Sequence, residues 1–531
     1  MIDLLITLER LLCAGGIALA VSLAADVGAQ EMDLDDILGG FEDEDVFELP
    51  DPDSSEASDT EPQDGWAQYV DFVGATSLGL SYNVDPHRSS LGPPPDVETG
   101  TYYGNLQRLR LRADLQVDVD LPSDWRLRSQ FFAFYDFAYP IHGQEKYTQS
   151  VIDDYLLEAE ILDLWVAGSV TPWLDLKLGR QVVDWGRSES LRVTDVWNPL
   201  NNREPGLVDI EDLRLPVTMA RADFFVGSWN FSALIAPEIR FDYDPPEGSD
   251  FFPIFSPSEL PQPPPGAPTR EEIFASFTSM EAAAFSRENG DQVVDRWGST
   301  PEYGFAATGI FSGWDLSFYL ARLYQNQTTS VVNLPDLNGI AFLNRDDRVT
   351  MVGAGGNYVV DTWLFKAEIA FYDELDYDYL KPNPSFTDPA VDLPYVGGQG
   401  EFSRVDWMVG LEYSGFRDTS LVFEVAHRRV LDYEPLLQFL PNYVYQDTVE
   451  TALRASREFL RSRLRMHALG VVILNNAGLQ GAFMRLWFEY ELGEALLVDA
   501  GYLQYFGREQ IPFNSWERNN RLFAKIKFSF D

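Results

Sequence analysis

Apolar and polar residues alternate along much of the chain with a period of two, as in β-strands with one apolar and one wet face. In the run RLRLRADLQVDVDL, apolar side chains take every second position from Leu109 to Leu121, and charged or polar side chains take the positions between. Strands of soluble sandwiches usually have about five or six residues, whereas a tilted strand that crosses a membrane needs about nine or more. The alternation therefore predicts membrane-spanning strands.

Tryptophan occurs at the end of the short turns. Five tight turns each end on a tryptophan that opens another alternating run: Trp125, Trp173, Trp229, Trp314 and Trp363. Because an indole has an apolar body and an N–H that hydrogen-bonds to water, tryptophan suits the membrane–water boundary. Its recurrence at one place in successive hairpins is typical of the aromatic girdle of a membrane barrel. Core tryptophans of a soluble β protein would not be placed so regularly.

Seventeen alternating segments are predicted to be strands: 70–84, 105–121, 125–139, 155–168, 173–183, 216–226, 229–240, 302–312, 314–325, 348–360, 363–372, 404–415, 419–430, 461–474, 479–491, 495–506 and 520–530. Long segments rich in Pro, Asp and Asn separate them at 85–100, 140–155, 185–215, 241–301, 326–347, 373–403 and 431–460. Two of these contain helix-like patches, Thr269–Arg287 and Asp447–Leu460. Short turns at one end and long loops at the other indicate periplasmic turns and external loops. Since bacterial single-chain barrels have even strand numbers, we expect an all-β, transmembrane antiparallel β-barrel of about 16–18 strands with an aqueous lumen.

The last predicted strand, RLFAKIKFSFD, is amphipathic and ends in aromatic residues. Its apolar positions run from Leu522 to Phe530 and alternate with Lys525, Lys527 and Ser529, and Asp531 follows. Outer-membrane barrels commonly end in such a strand, which the barrel-assembly machinery recognises. We therefore expect this machinery and outer-membrane lipid as partners, and the sequence leaves the oligomeric state open.

The N-terminus carries an apolar run, LLCAGGIALAVSLAA, that is too short to span a membrane and is followed by Val27 and Ala29 at a cleavage-site spacing. We interpret residues 1–29 as a secretory signal peptide and residues 66–531 as the barrel. The one cysteine, Cys13, lies in the signal, so the mature chain is predicted to have no disulfide. The net charge of −45 argues against nucleic acid as a partner.

Residues 30–65 form an acidic leader between the signal and the barrel. Its composition, with many Asp and Glu and no Lys or Arg from Glu31 to Asp64, predicts a disordered periplasmic segment. Four apolar residues are spaced as on one helix face and are the candidate partner-binding residues: Leu34, Ile37, Leu38 and Phe41. The leader is either a hook for a periplasmic partner or a charged tail that keeps the unfolded barrel soluble.

The stretch VVDWGRSESLRVTDVWNPLNNREPG, residues 182–206, concentrates charges of both signs between two alternating segments. Such charges are costly in lipid, whereas in a water-filled pore they create a transverse field and a size limit for solutes. A bulge at Gly179 would turn Arg180 and Asp184 inward. We therefore predict a pore constriction, and the alternative is an external loop held by salt bridges. The candidate pore-lining residues are Arg108, Arg110, Arg112, Arg180, Asp184, Arg187, Glu189, Arg192 and Asp195.

The motif series LGRQVVDWGRSES, NPLN and LRLP, from Leu178 to Pro216, resembles an uncharacterised family of Gram-negative outer-membrane porin-like barrels. The likeness extends loosely over the whole barrel. It implies an outer-membrane location and a transport role without a settled substrate, and it does not cover the acidic leader.

The favoured function is a porin-like channel for diffusion or facilitated transport of small solutes. A non-conducting scaffold or export-complex component is the alternative, and an outer-membrane hydrolase is a remote one. The histidines are His87, His142, His427 and His467, and we find neither a G-x-S-x-G elbow nor an HExxH motif nor Cys/His metal spacing. We therefore expect no catalysis, no metal and no cofactor.

Overall fold

The computed structural model describes residues 69–90, 92–93, 99–207, 213–279, 296–326, 329–332, 340–343, 347–440, 443–493, 495–507 and 509–530. The predicted signal peptide and the acidic leader, with Leu34, Ile37, Leu38 and Phe41, lie outside the described residues.

Twenty strands and four short α-helices make up the described chain. The strands are β1 (Val70–Arg88), β2 (Tyr102–Leu121), β3 (Trp125–Asp136), β4 (Leu157–Thr171), β5 (Leu174–Gln181), β6 (Val217–Val226), β7 (Trp229–Ile239), β8 (Arg296–Phe311), β9 (Trp314–Tyr324), β10 (Thr329–Val332), β11 (Ile340–Leu343), β12 (Arg348–Val360), β13 (Trp363–Pro382), β14 (Tyr395–Phe416), β15 (Thr419–Val430), β16 (Asp447–Phe459), β17 (Leu464–Asn475), β18 (Gly478–Gly493), β19 (Leu496–Phe506) and β20 (Arg521–Phe530). The helices are α1 (Ala138–His142), α2 (Gln149–Tyr155), α3 (Arg270–Ser279) and α4 (Phe513–Trp516).

Eighteen of the strands form one closed antiparallel sheet. Each strand pairs with its neighbour in sequence, β9 pairs with β12, and β1 closes the barrel by pairing with both β2 and β20. The strands β10 and β11 form a separate hairpin in the connection between β9 and β12. This confirms the predicted all-β antiparallel barrel. Among the described residues, no helix is long and apolar enough to cross a membrane.

The two ends of the barrel differ in the length of their connections. At the short-turn end, turns such as those before β3, β7, β9 and β13 have only a few residues, whereas the connections at the loop end are long except for the two-residue turn between β17 and β18. All five predicted tryptophans lie at the short-turn end, and Trp173, Trp314 and Trp363 are 54%, 43% and 39% exposed. Their position is the one predicted for a girdle.

The strands have an apolar outer face and a polar inner face, as the alternation predicts. In β13, Phe365 and Ile369 are 47% and 52% exposed on the outside, and Lys366 and Glu368 between them are buried toward the lumen. In the last strand, Leu522 and Phe530 are exposed on the outer face as predicted.

The predicted count of seventeen strands is wrong by one, because the sequence was interpreted as a long loop with a helix-like patch at Asp447–Leu460. This segment is β16, which pairs with β15 and β17. Its outward positions include Thr451 and Ala455, so the contrast between its two faces is weak, and its Ala, Leu, Arg and Glu residues favour helices. With β16 the strand number is even, and both ends of the barrel chain lie at the short-turn end.

The loop-end connections are shorter than predicted where strands rise beyond the apolar band. The predicted loop 373–403 is largely taken up by the upper parts of β13 and β14, which leave only 383–394 between them. Of the other helix-like patch, the described part contains α3.

Candidate functional site: a segment folded across the lumen

Residues 182–216, hereafter the crossing segment, connect β5 to β6. These two strands are neighbours in the wall, and Gln181 and Val217 at the ends of the segment are paired residues. A tight turn would be long enough to join them. The described parts of the segment, 182–207 and 213–216, instead contact strands on widely separated parts of the wall.

Gly179 controls the direction in which the chain leaves β5. Its φ of 129° lies in a region that residues with a Cβ rarely adopt. Arg180, which follows it, forms ion pairs inside the barrel with Glu160 at 3.0 Å and Glu238 at 2.8 Å. The pairing of β5 with β4 and β6 runs without a break across Gly179, so the predicted inward turn of Arg180 arises from the glycine conformation and not from an inserted residue.

Two wall carboxylates hold the first half of the crossing segment. Glu368 of β13 accepts hydrogen bonds from the backbone N–H groups of Arg187 and Ser188 with Oε1, and from the N–H and hydroxyl of Thr194 with Oε2 at 2.9 and 2.7 Å. This single buried side chain therefore fixes both ends of an eight-residue stretch of the segment, from 187 to 194.

Glu424 of β15 holds the middle of the same stretch. Its Oε1 accepts from the N–H of Glu189 at 3.0 Å, and its Oε2 accepts from the N–H of Ser190 at 3.1 Å and the hydroxyl of Ser188 at 2.6 Å. Hydrogen bonds to an ionised acceptor contribute about 1.5–3 kcal/mol each. The two carboxylates together are therefore a strong anchor for the backbone of the segment.

Side-chain ion pairs add to this anchor. Arg187 reaches β9, where it forms an ion pair with Asp315 at 3.1 Å and donates to the Ser317 hydroxyl. Lys366 of β13 lies 2.6 Å from Glu189 and 3.3 Å from Glu412 of β14. Both charges of the segment therefore face wall groups of opposite sign.

Aromatic packing seals the contact between the segment and the wall. Trp185 stacks on Tyr319 of β9 with ring centroids 5.0 Å apart and meets Trp197 edge-on at 5.4 Å. Tyr372 of β13 donates its hydroxyl to the carbonyl of Val193. The segment and the inner wall thus share one apolar core, which contains Trp185, Trp197 and Tyr372.

Internal ties keep the segment in one shape. Asp195 receives Arg192 and Arg214, both at 3.0 Å, and Arg214 also pairs with Asp184 at 2.7 Å. The buried Asn198 accepts from the N–H of Val183 and donates to the carbonyl of Leu215, so it joins the two ends of the segment. These contacts restrict the segment to one shape.

The second half of the segment contacts other parts of the wall. Arg203 pairs with Glu158 of β4 at 2.7 Å, and Glu204 pairs with Arg108 and Arg110 of β2 at 2.5 and 3.2 Å. Tyr505 of β19 donates its hydroxyl to the carbonyl of Pro205. The crossing segment is therefore held between β13–β15 on one side and β2, β4 and β19 on the other.

A second loop-end connection, between β7 and β8, supports this arrangement through Asp250. Its carboxylate lies 3.0 Å from Arg521 of β20 and 3.4 Å from Arg108 of β2, and the side chains of Asp250 and Arg521 are fully buried. Burial alone would raise the pKa of Asp250, but Arg108 and Arg521 outweigh it and hold the pKa below its ordinary value. For Glu204, Arg110 and Arg108 likewise outweigh burial and keep the pKa low. Both groups are therefore carboxylates in a buried charge network.

Most of the predicted site residues meet in this assembly. Arg108 and Arg110 join it through Glu204, and Asp184, Arg192 and Asp195 join it through Arg214. Arg187 pairs with Asp315 of β9, and Glu189 pairs with Lys366 of β13. Arg112 lies apart and pairs with Asp114 on its own strand, while Arg180 lies at the root of the segment. Their role in lining a pore stays a prediction.

Residues that hold the segment were absent from the candidates chosen by sequence reasoning: Glu158, Arg203, Glu204, Arg214, Asp250, Lys366, Glu368, Glu424 and Arg521. For Glu368 and Glu424, the available signal was a single acid at an inward position of an apolar strand, in KAEIA and FEVA. That pattern indicates a buried charge, but it does not identify backbone N–H groups as its partners.

The sequence predicts neither a catalytic site nor a metal site, and two observations from the described part of the chain concern these predictions. His427 lies on the outer face, with Nε2 2.9 Å from Oδ1 of Asp447, and among the described residues no serine hydroxyl hydrogen-bonds to it. Within the same residues there is no group of three or more His, Cys, Asp or Glu that could hold a metal ion.

Asp242 makes the stability of the crossing segment dependent on pH. Its Oδ1 accepts from the N–H of Leu200 at 2.7 Å, and burial followed by the neighbouring charge of Asp244 raises the pKa of Asp242 to about 7. A carboxyl whose pKa is higher in the folded than in the unfolded state binds its proton more tightly when folded, so stability falls as the pH rises towards 7.

We therefore expect the barrel to be less stable at pH 8 than at pH 5, and expect Asp242→Asn to reduce this difference by raising the stability at pH 8. Thermal unfolding of both proteins in detergent at the two pH values tests this. An unchanged pH dependence in the variant would show that another group is responsible.

Comparisons with solved structures identify several chains of similar fold. The fold is similar to that of OccAB2 of Acinetobacter baumannii, with 10% identity, a TM-score of 0.46 and coverage of 87% of this chain and 98% of that chain. It is also similar to OccD3 (OpdP) of Pseudomonas aeruginosa, with 9% identity, a TM-score of 0.43 and coverage of 87% and 91%. The outer membrane channel DcaP of Acinetobacter baumannii matches with 10% identity, a TM-score of 0.38 and coverage of 87% and 97%.

At the level of sequence, no curated protein matches the chain. A family model described as "Protein of unknown function (DUF1302)" matches residues 54–479, which include the whole crossing segment and most of the barrel. The resemblance to an uncharacterised barrel family is thereby confirmed, and the chain belongs to the DUF1302 family.

Proposed function

We propose that the protein is a channel of the Gram-negative outer membrane through which small solutes pass by diffusion or facilitated transport. The observation that carries the proposal is the crossing segment, which is fixed to β13 and β15 at one side of the lumen and to β2 and β19 at the other. A charged segment held within a wide barrel limits the size of solutes and imposes a transverse field on them.

Features at both ends of the chain support a location in the outer membrane. Residues 1–29 act as a cleavable signal, the exposed apolar band and the tryptophans contact lipid, and β20 is the strand that the barrel-assembly machinery recognises. Residues 30–65 then lie in the periplasm, where Leu34, Ile37, Leu38 and Phe41 bind an envelope partner.

The charged residues of the site have two tasks in this proposal. Arg187, Glu189 and Arg192 position the constriction, because their charged groups are paired with the wall or with the segment itself. Arg112, whose side chain is 37% exposed, lies on the part of the wall that contacts solutes.

The experiment is single-channel recording with the purified full-length mature protein in planar lipid bilayers. A channel gives stepwise increases in current, with a step size that is reproducible between insertions. A scaffold barrel, the alternative, gives no steps although the protein inserts and shows heat-modifiable migration on gels. That result would overturn the proposed function.

A further inference from the structure

We propose that the inner wall carries an anion-binding trench along β1, which selects small carboxylate-bearing solutes for passage through the lumen. The inference rests on the channel function proposed above and adds the class of solute. The outer face of β1 is apolar, with Leu78 and Leu80 46% and 40% exposed, so the residues between them face the lumen. The trench is formed by the four small inward-facing residues Ala75, Ser77, Gly79 and Ser81.

Basic side chains border the trench on both sides at two successive levels. The neighbouring strands β20 and β2 each contribute an inward-facing cation opposite the same residue of β1. The two levels are Lys525–Gly79–Arg110 and Lys527–Ser77–Arg112.

The space over Gly79 is open. A Cβ atom built on Gly79 would meet only the backbone oxygen of Arg110, at 3.9 Å, and no side chain within 4 Å. No side-chain atom of the flanking Lys525 or Arg110 therefore lies within 4 Å of this position. Since cross-strand neighbours stand about 4.5–5.5 Å apart at Cβ, a group in this space is within reach of cations on both sides.

At the loop end of the trench, Ser81 is a polar group without a partner. Its side chain shares the inward face, the residue is only 5% exposed, and among the described residues its Oγ has no hydrogen-bond partner. A buried hydroxyl without a partner costs free energy. A carboxylate oxygen in the trench would accept its hydrogen bond.

The charges around the trench leave one cation uncompensated. Lys525 pairs with Asp499 at 2.8 Å, and Arg112 pairs with Asp114 at 2.6 Å. Arg110 lies 3.2 Å from Glu204 and 3.5 Å from Asp136. Lys527, in contrast, has no ion pair within the described part of the chain.

The free cation and the open space together fit an anion. A guanidinium presents a planar fork that matches the two oxygens of a carboxylate, and the lysines add point charges. The trench therefore favours carboxylates over neutral or cationic solutes, although the net charge of the whole chain is strongly negative.

The test measures ion selectivity of the full-length mature protein in planar bilayers, from the zero-current potential across gradients of potassium chloride and potassium acetate. We expect the wild type to prefer anions and to pass acetate. Gly79→Glu places a carboxylate in the trench and should lower the ratio of anion to potassium permeability severalfold. Lys527→Gln, at a half-buried position, should shift the ratio in the same direction if Gly79→Glu fails to fold.

The matched control is Gly79→Gln, which adds the same bulk at the same open position without the charge. We expect its selectivity to equal that of the wild type. Two results would overturn the proposed trench but leave the channel function standing. One is current steps with an unchanged permeability ratio in both Gly79→Glu and Lys527→Gln, and the other is a wild type that prefers cations. The absence of any steps overturns the channel function and the trench together.

Discussion

Replacing Asp250 with alanine is expected to destabilise the folded barrel by about 3–5 kcal/mol, the cost of breaking a buried ion pair from one side. The variant leaves Arg521, whose side chain is fully buried, without its carboxylate partner, and it removes an acid next to Arg108. The network also joins β20 to β2 on either side of β1, so its loss weakens the closure of the barrel. Unfolding in detergent, followed by heat-modifiable migration or by circular dichroism, measures the effect.

The matched control for this prediction is Asp85→Ala. Asp85 pairs with Arg518 at 3.5 Å, but both side chains are about half exposed, at 41% and 55%. An exposed pair of this kind contributes about 0–1 kcal/mol, so the control should unfold close to the wild type. If Asp250→Ala and Asp85→Ala had equal stability, the buried network would not be a determinant of the fold.

The second large effect is expected from Glu368→Gln combined with Glu424→Gln. Each amide keeps one acceptor oxygen but presents an NH₂ group to backbone N–H donors of the crossing segment, so the anchor on β13 and β15 is lost. The segment then leaves the wall, and single-channel recordings should show a severalfold larger and noisier conductance.

Glu412→Gln is the control for the double variant. Glu412 is an inward-facing acid of β14, between the two anchor strands, and contacts Lys366 without holding the backbone of the segment. Its conductance should stay near that of the wild type. A double variant with wild-type conductance and noise would show that the two carboxylates do not position the segment.

The barrel was largely predictable from the sequence because its determinants are local. Alternation along a strand and a tryptophan after a tight turn require no knowledge of distant residues. The prediction failed at β16, where Thr451 and Ala455 on the outer face weaken the alternation and helix-forming residues dominate the composition. In this strand the pairing with β15 and β17 overrides local propensity.

The crossing segment was predictable only as an unusual concentration of charge. Its partners are far away in sequence: Thr194 and Glu368 are 174 residues apart, and Asp250 and Arg521 are 271 residues apart. A single sequence does not show which inward-facing acid accepts from which backbone N–H group. Any acid at an inward position of a strand would fit the alternation equally well. The segment was therefore singled out from its composition, whereas its anchors on the wall are defined only by the three-dimensional structure.

The central claim is that the crossing segment limits flow through the barrel, and its removal tests this most directly. A variant in which residues 182–216 are replaced by a short Gly-Ser turn still joins Gln181 to Val217, because these residues are already paired neighbours. Single-channel conductance of this variant should exceed that of the wild type severalfold, with loss of size discrimination in liposome swelling. A folded variant whose conductance equals that of the wild type would contradict the account.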